Sequence, residues 1–166
     1  GQYYIAVISD INHSVKEPDT RGNNQLISSG FNIIKTFNDL IPEVIASPNS
    51  LSVNEQGRII WKVSNIGNLA TDTNRWVDTV YISSKPTFDA TAIALGSVTH
   101  LGYLGLNESY EAYLDIQPNL AAGSYYLFIR TDSYGSTYEP ERTENNIVKT
   151  AITLETEKLP DIQVSD

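Results

Sequence analysis

At 166 residues the chain has room for one ordinary domain with extra material at its ends, and is too short for two of typical size. A hydrophobic fraction of 40%, with 10 Tyr, 4 Phe and 2 Trp, supports a packed core, while the formal net charge of -9 sets the chain against nucleic acid, whose binding rests on Lys and Arg neutralising phosphates. Cysteine is absent, which excludes disulfides and thiolate metal sites, and the longest apolar runs, such as Tyr125 to Ile129, fall far short of the roughly 20 residues that cross a bilayer.

The chain opens on Gly1-Gln2-Tyr3-Tyr4, which has neither the basic start nor the apolar run of a secretory signal; a secreted parent would carry its signal upstream. These residues belong to an internal repeat. Laid on 123–146 at a constant shift of 122, residues 1–24 match at nine positions: Gly1, Tyr3, Tyr4, Asp10, Ser14, Glu17, Pro18, Asn23 and Asn24 fall on Gly123, Tyr125, Tyr126, Asp132, Ser136, Glu139, Pro140, Asn145 and Asn146. Further on, Leu40-Ile41-Pro42-Glu43-Val44-Ile45 resembles Lys158-Leu159-Pro160-Asp161-Ile162-Gln163 at a shift of 118, so the difference falls in a connector. A period near 120 residues is a domain-sized unit rather than a solenoid turn. The expected division is 1–38, the last strands of a preceding repeat plus a connector; 39–157, one complete domain; and 158–166, the first strand of a following repeat.

Within the complete unit, Val44 to Ala46 is β-rich and is followed by turn residues Ser47-Pro48-Asn49-Ser50. Arg58 to Ser64 then alternates Ile59, Trp61 and Val63 with polar residues and stops at Asn65-Ile66-Gly67-Asn68, the pattern of a half-buried strand. Further runs at Thr79 to Ser83, Ala92 to Val98, Tyr110 to Ile116, Ser124 to Thr131 and Ile147 to Leu154 bring the set to about seven, and no segment sustains helical spacing. The expectation is an all-β, immunoglobulin-like antiparallel sandwich with Ile59, Trp61, Val63, Val80, Ile82, Leu127, Ile129 and Val148 in its core.

Four stretches carry a resemblance: Trp76-Val77-Asp78-Thr79-Val80-Tyr81-Ile82-Ser83, Ala94-Leu95-Gly96-Ser97-Val98, Gly123-Ser124-Tyr125-Tyr126-Leu127, and Tyr138-Glu139 to Glu144-Asn145-Asn146-Ile147. In this order the chain resembles CARDB, the cell-adhesion-related domain of bacteria, over roughly 40 to 155, and the ending of the motif recurs at 3 to 28. The resemblance implies an immunoglobulin-like module found in tandem on large secreted and surface proteins, with no ligand specified. Relatives often carry several aspartates in the loop after the Tyr-Ile-Ser-Ser strand; here Ser84 to Ala92 keeps only Asp89, which argues against a cation there.

The segment from Asp132 to Asn146 is dense in carboxylate and amide oxygens, the hard ligands calcium takes six to eight at a time, and Asp132, Glu139, Glu144 and Asn145 are the candidate ligands. The competing reading is a turn: the aspartate ends a strand, Glu-Pro opens a turn, and the paired asparagines bond their own backbone. His13 falls opposite Gly135 in the repeat and His100 reads as a turn residue, so neither suits a catalytic base. No nucleophile elbow, His-Glu-x-x-His pair or Walker loop supports an enzyme, and a glycosidase-type pair of Glu139 and Glu141 has no support beyond spacing. Exposed tyrosines, among them Tyr103, Tyr110, Tyr113 and Tyr134, offer a surface for carbohydrate or protein, or cross-strand packing.

The reading is a non-catalytic structural or adhesion module of a bacterial cell-surface or secreted protein, extracellular, partnered by neighbouring repeats of its own chain and by self-association of the incomplete end strands. The alternatives are a calcium-dependent binding module and an accessory domain of a secreted enzyme. No cofactor other than calcium is expected.

Overall fold

The computed structural model describes residues 1–16, 21–139 and 143–156. The expected strand at 158–166 lies outside them, as do Glu17, Pro18, Pro140 and Glu141. None of its helices is long and apolar enough to cross a membrane, among the described residues. The chain divides into two compact units, Gly1–Lys35 and Thr36–Asp166.

The first unit is a long antiparallel hairpin. Its strands β1 (Gln2–Tyr3) and β2 (Ala6–Ile8) pair with β4 (Phe31–Asn32) and β3 (Gln25–Ile27) respectively, and a 3-10 turn at Arg21–Asn23 precedes β3. Its apolar side chains are open to solvent, Ile5 at 58% and Val7 at 60%.

The second unit is a β-sandwich built from β5 (Leu40–Ala46), β6 (Ser50–Ser52), β7 (Gly57–Asn65), β8 (Arg75–Ser83), β9 (Ile93–Leu101), β10 (Ser109–Ile116), β11 (Gly123–Arg130) and β12 (Ile147–Glu155). One sheet runs β10-β7-β5 and the other β6-β12-β11-β8-β9. Every pairing is antiparallel except that of β6 with β12. The seven expected strands are present. β6, whose Ser50 was read as part of a turn, is an eighth: it is three residues long and held by a parallel partner distant in sequence, so no local pattern announces it.

Alternation on β7 sends Ile59, Trp61 and Val63 inward, where they meet Trp76, Val80 and Ile82 of β8, Leu127 and Ile129 of β11, and Ile152 and Leu154 of β12. All eight expected core residues are there, Val148 being partly buried at the margin. The outer face of the larger sheet is covered in part by the loop after β8, whose Phe88 packs on Tyr81 and Phe128 with ring centroids 5.0 and 5.5 Å apart.

The lead-in to β5 is fastened to the turn after β7. Asn65, fully buried, accepts from Asp39 N and Gly67 N and donates to the carbonyls of Leu69 and Leu104. Phe37 O accepts from Asn68 N and Leu69 N. The approach is so close that a Cβ at Gly67 would stand 2.4 Å from Phe37 O, which accounts for glycine there.

A carboxylate sits inside the sandwich. Asp78, 1% exposed, shares its inward face with Trp76, Val80 and Ile82. Its Oδ2 accepts from Trp61 Nε1 at 2.9 Å and from Tyr110 Oη at 2.6 Å; its Oδ1 accepts from Thr131 Oγ1 at 2.7 Å and Asp132 N at 3.3 Å. Trp76 Nε1 in turn donates to Tyr110 Oη at 2.9 Å. Tyr110, expected among the exposed tyrosines, is therefore an interior anchor, with its hydroxyl pKa pushed up by burial and by the Asp78 charge. A buried charge is tolerated only when its lone pairs are filled, and four donors fill these. Asp78→Ala strands the donors of Trp61 and Thr131 in the core and is expected to cost at least about 3 kcal/mol in urea unfolding, whereas Tyr110→Phe removes one donor and costs about 1–2 kcal/mol.

Candidate functional site

The acidic segment starts where β11 ends. Asp132 adopts a left-handed backbone, φ 43°, and folds its carboxylate over the following loop: Oδ1 accepts from Ser136 N at 2.8 Å, and Oδ2 from Thr137 N and Thr137 Oγ1, each at 2.9 Å. Gly135, φ 65°, closes the turn by donating to Asp132 O. This is an aspartate-capped turn, in which the side chain supplies the acceptors that a sheet would otherwise provide.

Beyond that loop, Glu139 points inward and is 6% exposed. Its Oε1 accepts from Leu40 N at 2.5 Å and its Oε2 from Asn146 Nδ2. Burial pushes its carboxyl pKa up; the Asn146 and Leu40 hydrogen bonds oppose the shift, and the charges of Asp132 and Asp39 add to it. Asn145 Nδ2 donates to Asp39 Oδ1 at 2.8 Å. The paired asparagines thus bond carboxylates on other parts of the chain rather than their own backbone, correcting the turn reading, because the 3-10 turn at Thr143–Asn145 lays them against the lead-in to β5.

Of the four candidate ligands, the structure brings Glu139 and Asn145 to one junction, commits Asp132 to its own loop, and leaves Glu144 exposed. Among the described residues no three His, Cys, Asp or Glu side chains cluster as metal ligands do. Asp39 and Asn146 belong to the junction but were not among the candidate ligands. Asp39 had no local mark, though Asn146 stood out as a repeated residue. Asp89, the one aspartate of the loop after β8, accepts from Lys85 Nζ at 2.6 Å and Thr91 N at 2.8 Å, and those bonds hold its carboxyl pKa down at about 2.

A second feature lies between the facing edges of the two sheets. Residues 98–101 of β9 and 110–113 of β10 line an open cavity of about 460 Å³. His100, expected in a turn, is in β9 opposite Trp76; its ring stacks on Trp76 at 4.1 Å and on Tyr110 at 3.9 Å between centroids, and its Nε2 meets Gly102 O at 3.1 Å. Tyr113, on the same wall, is exposed and lies under the Arg58 guanidinium at 4.3 Å. The walls present the rings of His100, Tyr110 and Tyr113 beside the side chains of Thr99 and Glu111.

Burial lowers the His100 pKa from 6.5; the Gly102 carbonyl and the Asp78 charge pull weakly the other way. A depressed folded-state value means that the unfolded chain binds the proton more readily. The His100 contribution to stability is complete above the unfolded value and is lost as pH falls through the folded one. Chemical denaturation of His100→Phe is expected to show a shallower loss of stability between about pH 7 and pH 5 than the unsubstituted chain.

Comparison with known proteins places this geometry. The chain is similar to a CARDB domain from Pyrococcus furiosus crystallised in complex with di-metal ions, with a TM-score of 0.56 and 20% identity over 75% of this chain and 95% of that one. The solution structure of that domain matches equally, with a TM-score of 0.56 and 20% identity over 74% of this chain and 100% of that one. A β-glucosidase from Listeria innocua in complex with glucose aligns with a TM-score of 0.50 and 13% identity over 75% of this chain but only 17% of that one. At these identities the likenesses establish the sandwich fold and nothing of activity. No curated protein matches by sequence. The sequence profile of CARDB matches residues 37–150, well over half of the chain and coincident with the sandwich just described, and the chain accordingly belongs to the CARDB family.

Proposed function

We infer that the protein is a non-catalytic structural or adhesion module that works in a row of like domains on a cell-surface or secreted bacterial protein. Membership of an adhesion-related family supports the coarse role. The tandem arrangement rests on one observation: next to its turn, from β2 to β3, the hairpin of the first unit has the hydrogen-bonded geometry of the domain's own closing hairpin.

At a shift of 122, the pairs Ala6↔Ile27, Val7↔Leu26 and Ile8↔Gln25 fall on Phe128↔Lys149, Ile129↔Val148 and Arg130↔Ile147. The 3-10 turns coincide, Arg21–Asn23 with Thr143–Asn145. Asp10 has φ 47° and accepts from Ser14 N at 2.6 Å and Val15 N at 3.1 Å, as Asp132 does from Ser136 N and Thr137 N. Ile5 and Val7, at 58% and 60% exposure, correspond to Leu127 and Ile129, both 0% exposed in the core. In this reading the hairpin closes a preceding sandwich of the same kind, whose other strands cover that apolar face.

A copy of residues 36–122 joined ahead of Gly1 would recreate a full repeat around the hairpin. Amide exchange at Val7 and Leu26 is expected to slow on the order of 100-fold or more in that longer chain, as local opening becomes tied to unfolding of a whole domain. Unchanged exchange there would remove the support for the array.

A further inference from the structure

The two sheets of the sandwich end in four edge strands, and three of these carry devices that keep another chain from pairing with them. β5 has Pro42 and a bulge at Ile45, between the pairs Val44↔Trp61 and Ala46↔Ile60. β6 is only three residues long. β9 has a bulge at Leu95, between the pairs Val80↔Gly96 and Tyr81↔Ala94. β10 has none of these. Its eight residues pair with β7 in unbroken register and include no Pro, Gly or Lys. Among the described residues, no backbone hydrogen bond joins its outer edge to another segment.

The core is open on the same side. Among the described residues nine apolar side chains border it partly buried, and five of them belong to β9 and β10: Leu95, Val98, Tyr110, Ala112 and Leu114. On the far side Leu40 of β5 and Leu51 of β6 are buried. The cavity of about 460 Å³ lies over this opening, against Val98, His100, Tyr110 and Ala112, and its volume falls within the roughly 300–1,000 Å³ of ordinary ligand pockets.

We propose that the free edge of β10 is a docking site for an extended peptide segment in which apolar side chains alternate with Lys or Arg, added as a further strand of the three-stranded sheet. Pleating fixes the pattern. A residue set beside Glu111 has its side chain on the outer face of the sheet, and its two neighbours point the other way, over the cavity. Those neighbours are apolar because they meet Val98, Tyr110 and Ala112. The residue beside Glu111 is basic because that carboxylate is exposed and, among the described residues, has no cation of its own. Lys62, opposite it on β7, reaches Glu43 at 3.0 Å, and Arg58 is held by Asp115 at 2.6 Å. The formal net charge of -9 draws the same partner. It also sets a second copy of the chain against this edge, since two β10 strands side by side would bring together both copies of Glu111 and Asp115 with no base on either strand. Main-chain hydrogen bonds supply affinity here, while the cavity and Glu111 supply selectivity. The site does not depend on the tandem reading, since β9 and β10 both lie in the second unit.

The test is titration of the whole chain, followed by NMR and amide exchange, with a blocked nine-residue peptide that alternates valine with lysine. Controls are a peptide with glutamate in place of lysine and two copies of the lysine peptide, each N-methylated along one of its two edges. The lysine peptide is expected to bind at least about 10-fold more tightly than the glutamate peptide at low salt, with the gap narrowing as salt is added. Alternate amides of β10 are expected to slow in exchange on the order of 10-fold or more, and one methylated copy to lose binding while the other retains it. Glu111→Lys lies on the exposed face of β10 and is expected to fold as the parent does and to invert the preference between the two peptides. Four results would each overturn the site. They are no binding, a preference for lysine that survives Glu111→Lys and so reflects net charge alone, protection confined to residues 1–33, and a concentration-dependent dimer that protects β10 without peptide.

Discussion

The sandwich turns on one buried carboxylate. Two sheets that meet through apolar side chains alone gain non-directional energy from burial, and nothing in that energy dictates which strand lies over which. Asp78 supplies the direction. From β8 it receives Trp61 of β7 and Tyr110 of β10 in the opposite sheet, and Thr131 and Asp132 beyond β11 in its own. With no cysteine available for an inter-sheet bridge, the two hydrogen bonds from Trp61 and Tyr110 provide the fixed cross-connection, and Trp61 can be buried to 0% because its side-chain N–H is satisfied.

The same carboxylate reaches the junction through the backbone. Asp132 donates its N–H to Asp78 while its own carboxylate folds the next loop, and that loop delivers Glu139 to Leu40 N at the start of β5. The lead-in is gripped again by Asn65 from the end of β7. The first strand of the domain is thus held by polar contacts from the turn after β7 and from the segment before β12, in addition to its ladder with β7. Tension applied through the lead-in would load these contacts together before it reached the core.

Much of this was legible because the strands of the second unit are amphipathic in the simplest way. Ile59, Trp61 and Val63 alternate with polar residues, and their parity alone fixes which face is buried. Asp78 was legible in principle: it shares parity with Trp76, Val80 and Ile82, and an acid on the inward face of a strand must find donors. What could not be read were pairings between distant residues. β6 exists only because β12 passes beside it, His100 is in a strand only because β8 continues back to Arg75, and Asn145 meets Asp39 across 106 positions of chain. The candidate ligands part company for the same reason: Glu139 and Asn145 reach the lead-in to β5, Asp132 stays with its own loop and Glu144 is exposed. Composition marks a segment rich in oxygens, but which of them converge depends on where the lead-in to β5 crosses it.

The two hairpins separate what a sequence encodes locally from what the domain imposes. Their turns agree in backbone angle and in hydrogen bonds, although Ile5 and Val7 are exposed where Leu127 and Ile129 are buried. An aspartate in the left-handed region, bonded to N–H groups four and five residues on, needs no core to hold it. The ladders agree only next to the turn. Farther out, Gln2↔Asn32 and Tyr3↔Phe31 stand one residue out of step with Ser124↔Thr153 and Tyr125↔Ile152. In the domain a one-residue slip would swing Tyr125 and Ile152 to the wrong face of the sheet, and burial forbids it. The first unit carries no such constraint, and its slip falls at Ser28–Gly30, where Ile5 N turns to the Ser28 hydroxyl. Register in the closing hairpin of this domain is set at the turn by local hydrogen bonds and kept along the strand by the opposing sheet.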